Sequence, residues 1–276
     1  MSQLPCELPR PIDTAGIESY PKIRQGLDRG ETMLIPYQVD VMKWRTPWVN
    51  YALLALIVLI SLWGFSDADV FYTLAGMEET GLGGLWSDYR LTESILLWPV
   101  VAISSSFLHG GILHLAGNLL FLWVFGNAIN SKFGHLGYVL FYLSMAMLAG
   151  LTHYNLTGSP GVGASGAIYA VMAAFLVFYP LNDVRIAYFF WWFLVFRWGK
   201  FELAGIFVVV AYVLWDLLMI WFGADIGVGH WAHVGGFAPG FSVALLLAML
   251  KVIQPTEDEK TLLQLFAPRP RSAYYR

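Results

Sequence analysis

The stretch Gly163-Ala164-Ser165-Gly166 opens an apolar run, residues 167–179, which ends at Pro180. A serine between small residues at the start of such a run has two interpretations. The small side chains either let a second helix pack closely, or the serine hydroxyl is a nucleophile. The four residues alone favour packing, and only partners brought to the same place by the rest of the chain would favour a nucleophile.

The composition predicts a protein with several membrane spans. Of the 276 residues, 58% are hydrophobic and 13% are charged, and the mean hydropathy is +0.60. Soluble domains carry about a quarter charged residues, and here the apolar residues are concentrated in long runs. The single cysteine, Cys6, excludes an internal disulfide framework and a cysteine zinc cluster. We expect contact with the lipid bilayer, and no metal, cofactor or nucleic-acid partner.

Six apolar segments have, or nearly have, the roughly 20 residues that a helix needs to cross a bilayer. We predict an all-α bundle of six transmembrane helices, with spans at residues 48–65, 111–129, 136–151, 165–179, 203–222 and 231–250. These spans define a domain at residues 48–251. A polar segment at 1–47 precedes it, and a tail at 252–276 follows it.

Two shorter apolar stretches do not fit as spans. Residues 95–103, which are broken by Pro99, are expected to form part of a long loop in the membrane interface. Residues 186–196 are predicted to be an interfacial aromatic segment. A short helical excursion of this segment into the membrane stays open.

Basic residues indicate the orientation, because lysine and arginine concentrate on the cytoplasmic side of membrane proteins. With six spans and both termini in the cytoplasm, every lysine and arginine except Arg90 lies on that side. A seventh span at residues 186–196 would move the basic tail outside, so six spans are favoured. The expected location is the bacterial inner membrane, as a multi-pass protein.

In this orientation the second, fourth and sixth spans begin at the outer face, where five of the six histidines lie. The fourth span has about 15 residues and a length of roughly 22 Å, which is shorter than the hydrocarbon core of about 30 Å. Ser165 is therefore expected below the outer surface, with Tyr169 one turn further on. Non-helical backbone at that depth is tolerated where it lines a water-filled cavity, and hydrolysis inside a membrane needs such a cavity.

Two polar residues stand at the outer end of the second span. His114 and Asn118 are at i and i+4, so they share one helix face and can donate hydrogen bonds to one point. Two converging donors are what an oxyanion hole requires. The alternative is that they cross-link helices within the bundle.

The sixth span carries a histidine above two glycines. His233, Gly236 and Gly240 share one face, and glycines spaced four apart let the fourth span approach closely. His233 is then either a packing residue or a general base for Ser165. His230 lacks such a glycine face and is given no role.

Three motifs follow one another on these spans: His-x-x-x-Asn, then Gly-x-Ser-Gly-x-x-Tyr, then Ala-His-x-x-Gly-x-x-x-Gly. In this order they resemble the rhomboid family of intramembrane serine proteases. The resemblance implies hydrolysis of peptide bonds in or near transmembrane segments of protein substrates, through an acyl-enzyme. It implies Ser165 as the nucleophile and His233 as the general base. It also implies an oxyanion hole of His114, Asn118 and the Ser165 N–H, and a stacking role for Tyr169 beneath His233.

The resemblance extends to supporting residues, which are Gly163, Gly236, Gly240 and the structural histidine His109. Asp216 resembles an aspartate common in the family's fifth span. We interpret it as structural, because an isolated acid at that depth needs a partner, and the implied site is a Ser–His dyad without an acid.

Two departures from the family concern the scaffold. Many members carry an adjacent Trp-Arg pair in the first outer loop, whereas Trp86 and Arg90 are separated here. Asn130 stands where the family often has glutamate. Neither departure touches the dyad or the oxyanion hole.

Two other functions compete with proteolysis. A catalytically inactive rhomboid-like binder or chaperone of transmembrane segments would typically lack the serine or the histidine, which are both present. A small-molecule transporter would show an inverted repeat and polar residues at the membrane midplane, and the sequence shows neither. The substrate, the cleavage site and the oligomeric state stay open.

Overall fold

The computed structural model describes residues 31–77, 98–192, 195–223, 227–256 and 259–266. The sequence predictions that concern Cys6, Trp86 and Arg90, and those for residues 1–30 and 95–97, lie outside the described residues.

Helices dominate the described part of the chain. They are α1 (Trp48–Ser66), α2 (Ala68–Ala75), α3 (Trp98–Ser105), α4 (Ile112–Phe121), α5 (Asn127–Thr157), α6 (Ser165–Phe178), α7 (Gly205–Trp221), α8 (His230–Met249) and α9 (Leu262–Phe266). A π-helical turn, Leu122–Gly126, joins α4 to α5.

The helices have the lengths of a multi-pass membrane protein. Three stretches are long and apolar enough to cross a membrane by length and composition, namely 48–66, 112–157 and 230–249. Helices α6 and α7 are apolar but shorter. The 46-residue stretch at 112–157 changes direction at Gly134, whose φ of 74° is unfavourable for residues with a Cβ.

Asn50 shows that the chain turns back at Gly134. Its side-chain amide donates to Leu122 O at 3.0 Å, and its side-chain oxygen accepts from the Tyr138 hydroxyl at 2.6 Å. Residues on either side of Gly134 therefore meet at the first turn of α1. Asn130, where the family often has glutamate, accepts from the Asn50 N–H at 3.1 Å and completes this buried network.

The described residues are mostly helical, as predicted, but the all-α class is corrected in part, because three strands form an antiparallel sheet in the order β1-β2-β3. The strands are β1 (Glu31–Val39), β2 (Asp183–Trp192) and β3 (Val195–Ala204). The described residues of the aromatic segment, 186–192 and 195–196, therefore lie in the paired strands β2 and β3 and are not helical. Aromatic and β-branched residues suit a pleated strand, and cross-strand pairs such as Phe189 with Trp198 place their rings on one face.

The predicted loop at residues 95–103 is also corrected in part. Residues 98–105 form the short helix α3, in which Pro99 occupies the first turn. Proline lacks a backbone N–H, and it is tolerated in the first turn because an N–H there would have no intrahelical acceptor.

Helix α6 is the centre of the bundle, with nearly all its side chains buried. Its closest neighbour is α8, as the glycine face predicts. A Cβ on Gly236 would overlap the Gly166 carbonyl oxygen, and a Cβ on Gly240 would lie 2.6 Å from the Ala170 Cβ. Close backbone contact of this kind is typical of helix pairs in membranes, and it fixes how α6 and α8 align at the site.

Candidate active site

The beginnings of α4, α6 and α8 surround a cavity of about 1260 Å³. Six of the predicted site residues line it: His114, Asn118, Gly163, Ser165, Tyr169 and His233. The structure thus brings together residues that are up to 119 positions apart in the sequence. Gly236 and Gly240 lie instead at the α6–α8 contact, and His109 lies behind the cavity wall.

Ser165 is the first residue of α6, so its backbone N–H is one of those left without an intrahelical acceptor. The loop before it is held by a hydrogen bond from the Gly163 N–H to Ser105 O, at 3.1 Å. Gly163 has a φ of 127°, a conformation that residues with a Cβ rarely adopt. A Cβ there would also lie 2.9 Å from the His114 ring and 3.9 Å from Ser165 Oγ. Gly163 therefore allows the His114 ring to lie next to the serine.

The two predicted oxyanion donors lie on the α4 side of the cavity. His114 is exposed to it, and Asn118 is buried at 7% exposure. One Asn118 Nδ2 hydrogen is donated to His114 O at 2.9 Å. An amide NH₂ carries two hydrogens, so one remains for a group bound in the cavity.

His109 supports the His114 ring from behind. The two rings meet edge to face at 5.0 Å, and His109 is fully buried. Ser61 Oγ donates to Phe107 O and accepts from His109 Nδ1, both at 2.9 Å. Burial, with a further contribution from His114, lowers the pKa of His109 to about 4, so the ring is neutral at physiological pH.

His233 is held on two sides. Tyr169 of α6 stacks on it, with ring centroids 4.2 Å apart and planes 6° from parallel. Its Nδ1 lies 3.0 Å from Asp216 Oδ1 of α7. Because Nδ1 faces the carboxylate, Nε2 is the nitrogen left to act on a group in the cavity.

Sequence reasoning missed the group that contacts the predicted base. Asp216, interpreted only as structural, accepts from His233 and also from His230, whose Nδ1 lies 2.5 Å from the same Oδ1. The acid that the implied dyad lacked is therefore present beside His233. Two signals pointed to this cluster: a buried acid needs a partner, and His230 and His233 are at i and i+3 on one helix face.

The same three side chains have the composition of a metal site, since one ligand atom of each lies within 4.8 Å of the others. However, the separations of 2.5 and 3.0 Å between Oδ1 and the two Nδ1 atoms are those of direct hydrogen bonds. Two ligands of one zinc ion, each about 2.0–2.2 Å from it in tetrahedral geometry, would lie further apart. We interpret the group as a hydrogen-bonded cluster.

Comparison with known proteins agrees with the motifs. A family model described as the Rhomboid domain matches residues 97–250, more than half of the chain. The chain is 29% identical to RHOMBOID-like protein 4 of Arabidopsis thaliana over 154 residues, which are 55% of this chain and 34% of that protein. It is 29% identical to rhomboid protease GluP of Bacillus subtilis over 157 residues, 56% of this chain and 26% of that protein.

A third relative is rhomboid protease GlpG of Klebsiella pneumoniae, which is 25% identical over 166 residues, 59% of this chain and 53% of that protein. The chain thus spans between about a quarter and a half of the length of these relatives. The family match covers the site-bearing helices α4 to α8 in full. This chain belongs to the rhomboid family.

Proposed function

We propose that the chain is an intramembrane serine endopeptidase that hydrolyses peptide bonds in or near transmembrane segments of membrane-protein substrates. The observation that supports this most is the meeting of Ser165 on α6 and His233 on α8 at one cavity. The contact between Gly166 and Gly236 aligns the two helices. A nucleophile beside a positioned base is the requirement for covalent hydrolysis.

The proposed reaction begins when Ser165 Oγ attacks the substrate carbonyl carbon and its proton passes to His233 Nε2. The carbonyl oxygen becomes an oxyanion, which accepts hydrogen bonds from His114, Asn118 and the Ser165 N–H. The C–N bond breaks as His233 returns the proton to the leaving amine. Water then attacks the acyl carbon while His233 takes a proton from it. The ester bond to Ser165 Oγ breaks, His233 returns the proton to Oγ, and the acid product leaves.

The proposed topology has six spans. They are α1, the chain from α4 to Gly134, the remainder of α5, α6, α7 and α8, with both termini in the cytoplasm. The asymmetry of basic residues supports this orientation. A substrate helix enters beside the second and fifth spans. The Phe121 and Tyr212 rings pack edge to face between these spans, with their centroids 5.0 Å apart.

The proposed location is the bacterial inner membrane. GluP and GlpG come from bacteria, whereas other relatives come from plants and from mouse mitochondria. Fractionation of the source cells tests the location directly, and recovery from an organelle membrane would contradict it.

Cleavage of a membrane-anchored reporter tests the function. Wild-type protein in lipid vesicles should cleave it, and Ser165→Ala should abolish cleavage without lowering the melting temperature. Ser159→Ala is the matched control, because Ser159 lines the same cavity on the loop before α6 and should cleave normally. Retained cleavage by Ser165→Ala would refute the mechanism. Wild-type protein that captures the reporter without cutting it would indicate the inactive binder instead.

A further inference from the structure

One carboxylate oxygen serves two histidines at the wall of the cavity. Asp216 Oδ1 lies 2.5 Å from His230 Nδ1 and 3.0 Å from His233 Nδ1. The three residues are 2%, 5% and 7% exposed, respectively. A carboxylate at this depth is stable only with donors around it, so both Nδ1 atoms carry hydrogen and both Nε2 atoms do not while the rings are neutral.

His230 makes this contact and no other side-chain hydrogen bond among the described residues, since its buried Nε2 has no partner. Asp216 Oδ2 likewise has no hydrogen-bond partner there. The two histidine hydrogen bonds to the carboxylate thus both end at Oδ1, and the Tyr169 hydroxyl also lies near this carboxylate. His230 supplies the shorter of the two hydrogen bonds to that atom, and His233 supplies the longer one.

We propose that Asp216 and His230 are positioning residues for the general base: His230 anchors Asp216 Oδ1, and Asp216 holds His233 with Nε2 toward Ser165 and balances the charge of the imidazolium that forms during attack. The inference rests on the proposed proteolytic function, and it replaces the implied dyad with an acid-supported base. No extra reactant is needed, because protons move only between Ser165, His233, the substrate and the hydrolytic water.

Other titratable groups face this cluster from each neighbouring helix. The Tyr169 hydroxyl of α6 lies close enough to the Asp216 carboxylate to interact with it, and Tyr212 of α7 lies close to Tyr169. His153 of α5 and His114 of α4 lie close enough to His233 to interact with it electrostatically. Tyrosines are neutral at physiological pH, so Asp216 is the anionic group that balances charge on His233.

The first test compares the pH dependence of the rate of Ser165 labelling by a fluorophosphonate. Asp216→Asn should slow labelling at least about 100-fold, as removal of acid–base support does. It should also move the acidic limb of the profile down by about one pH unit or more, because the imidazolium loses an opposite charge within hydrogen-bond distance. An unchanged rate and profile would overturn the proposal.

The second test separates positioning from packing at His230. His230→Leu should slow labelling by about 10- to 100-fold, the cost of an ångström-scale misplacement, and His230→Asn should recover most of the rate because its amide can donate to Oδ1. In an Asp216→Asn background, His230→Leu should have little further effect, since both act through one carboxylate. If the rate losses of the two single variants instead multiply in the double variant, His230 acts independently of Asp216, as a packing residue would. That result would overturn the proposal.

Proton NMR tests the cluster without requiring activity, so it separates this inference from the proposed function. In protein labelled with ¹⁵N-histidine, wild type should show two strongly downfield Nδ1–H proton signals, and Asp216→Asn should lose both. If these signals are present but wild type fails to react with the fluorophosphonate, the proposed function fails and the cluster stands. If labelling is normal and the signals are absent, the shared carboxylate is refuted and the function stands.

Discussion

Gly236→Ala is the substitution with the most direct structural consequence. The added Cβ would overlap the Gly166 carbonyl oxygen, a backbone atom that cannot rotate away. Overpacking costs about 1–3 kcal/mol in ordinary cores, and this rigid contact belongs at the upper end, at about 3 kcal/mol. Alanine regains about 1 kcal/mol of helix propensity, which leaves a loss of about 2 kcal/mol. That corresponds to a fall of roughly 4–8 °C in melting temperature for a domain of this size.

The same substitution should also affect catalysis, because His233 precedes Gly236 by one turn and Ser165 is adjacent to Gly166. Separation of the two helices by about 1 Å should slow fluorophosphonate labelling about 100-fold. Melting in detergent and the labelling rate are the two measurements. Gly117→Ala on α4 is the matched control, since its added Cβ would meet nothing within 4 Å beyond its chain neighbours and its own helix backbone. This variant should keep the wild-type melting temperature and labelling rate. Wild-type melting and labelling for Gly236→Ala would refute the close-contact account.

Three further predictions concern separate parts of the molecule. Asn118→Ala should lower kcat by about 10²–10³-fold with little change in KM, since an oxyanion donor acts in the transition state; an equal rise in KM would indicate ground-state binding instead. Lys132→Met should cost about 3–5 kcal/mol by leaving the buried Glu259 without its ion-pair partner, and Lys132→Met/Glu259→Gln should recover part of that loss in a melting assay. His109 has a folded pKa of about 4 against 6.5 unfolded, so the folded state binds fewer protons between these values. Stability should therefore fall by up to about 3 kcal/mol as the pH drops from 6.5 to 4, and His109→Asn should remove this component.

The site on α6 could be predicted because its signals are local. Ser165 begins an apolar run too short for a full bilayer, and the glycines of α8 are spaced for close contact with it. Tyr169 is one turn after Ser165, so its placement follows from helix geometry. The structure adds the contact itself, between Gly236 and Gly166, which no spacing within one helix can specify.

The sheet could not be predicted in the same way, because its pairing is not local. β1 pairs with β2 across about 150 residues, with Val39 opposite Val184. The aromatic run of the hairpin has the composition of a membrane interface as well as of a strand. A strand is distinguished from an interfacial segment only by its pairing with β1 and by the cross-strand ion pair between Arg185 Nε and Glu202 Oε1, at 2.8 Å.

The acid beside the base was missed for a related reason. Asp216 could be recognised as needing a partner, but the chain between α7 and α8 does not reveal which face of α8 it meets. The sequence predicts no role for His230, which lacks a glycine face, although His230 shares a helix face with His233. The two hydrogen bonds at Asp216 Oδ1 supply what the spacing did not.

The proposed function depends above all on activation of Ser165 as a nucleophile by His233. The most direct test of this activation is reaction of the membrane-embedded protein with a fluorophosphonate, followed by mass spectrometry of the peptide that carries the phosphonate. Wild-type protein should carry one modification, on Ser165, and His233→Ala protein that melts like wild type should carry none. Folded wild-type protein that stays unmodified, or that carries the phosphonate on another serine, would contradict the claim.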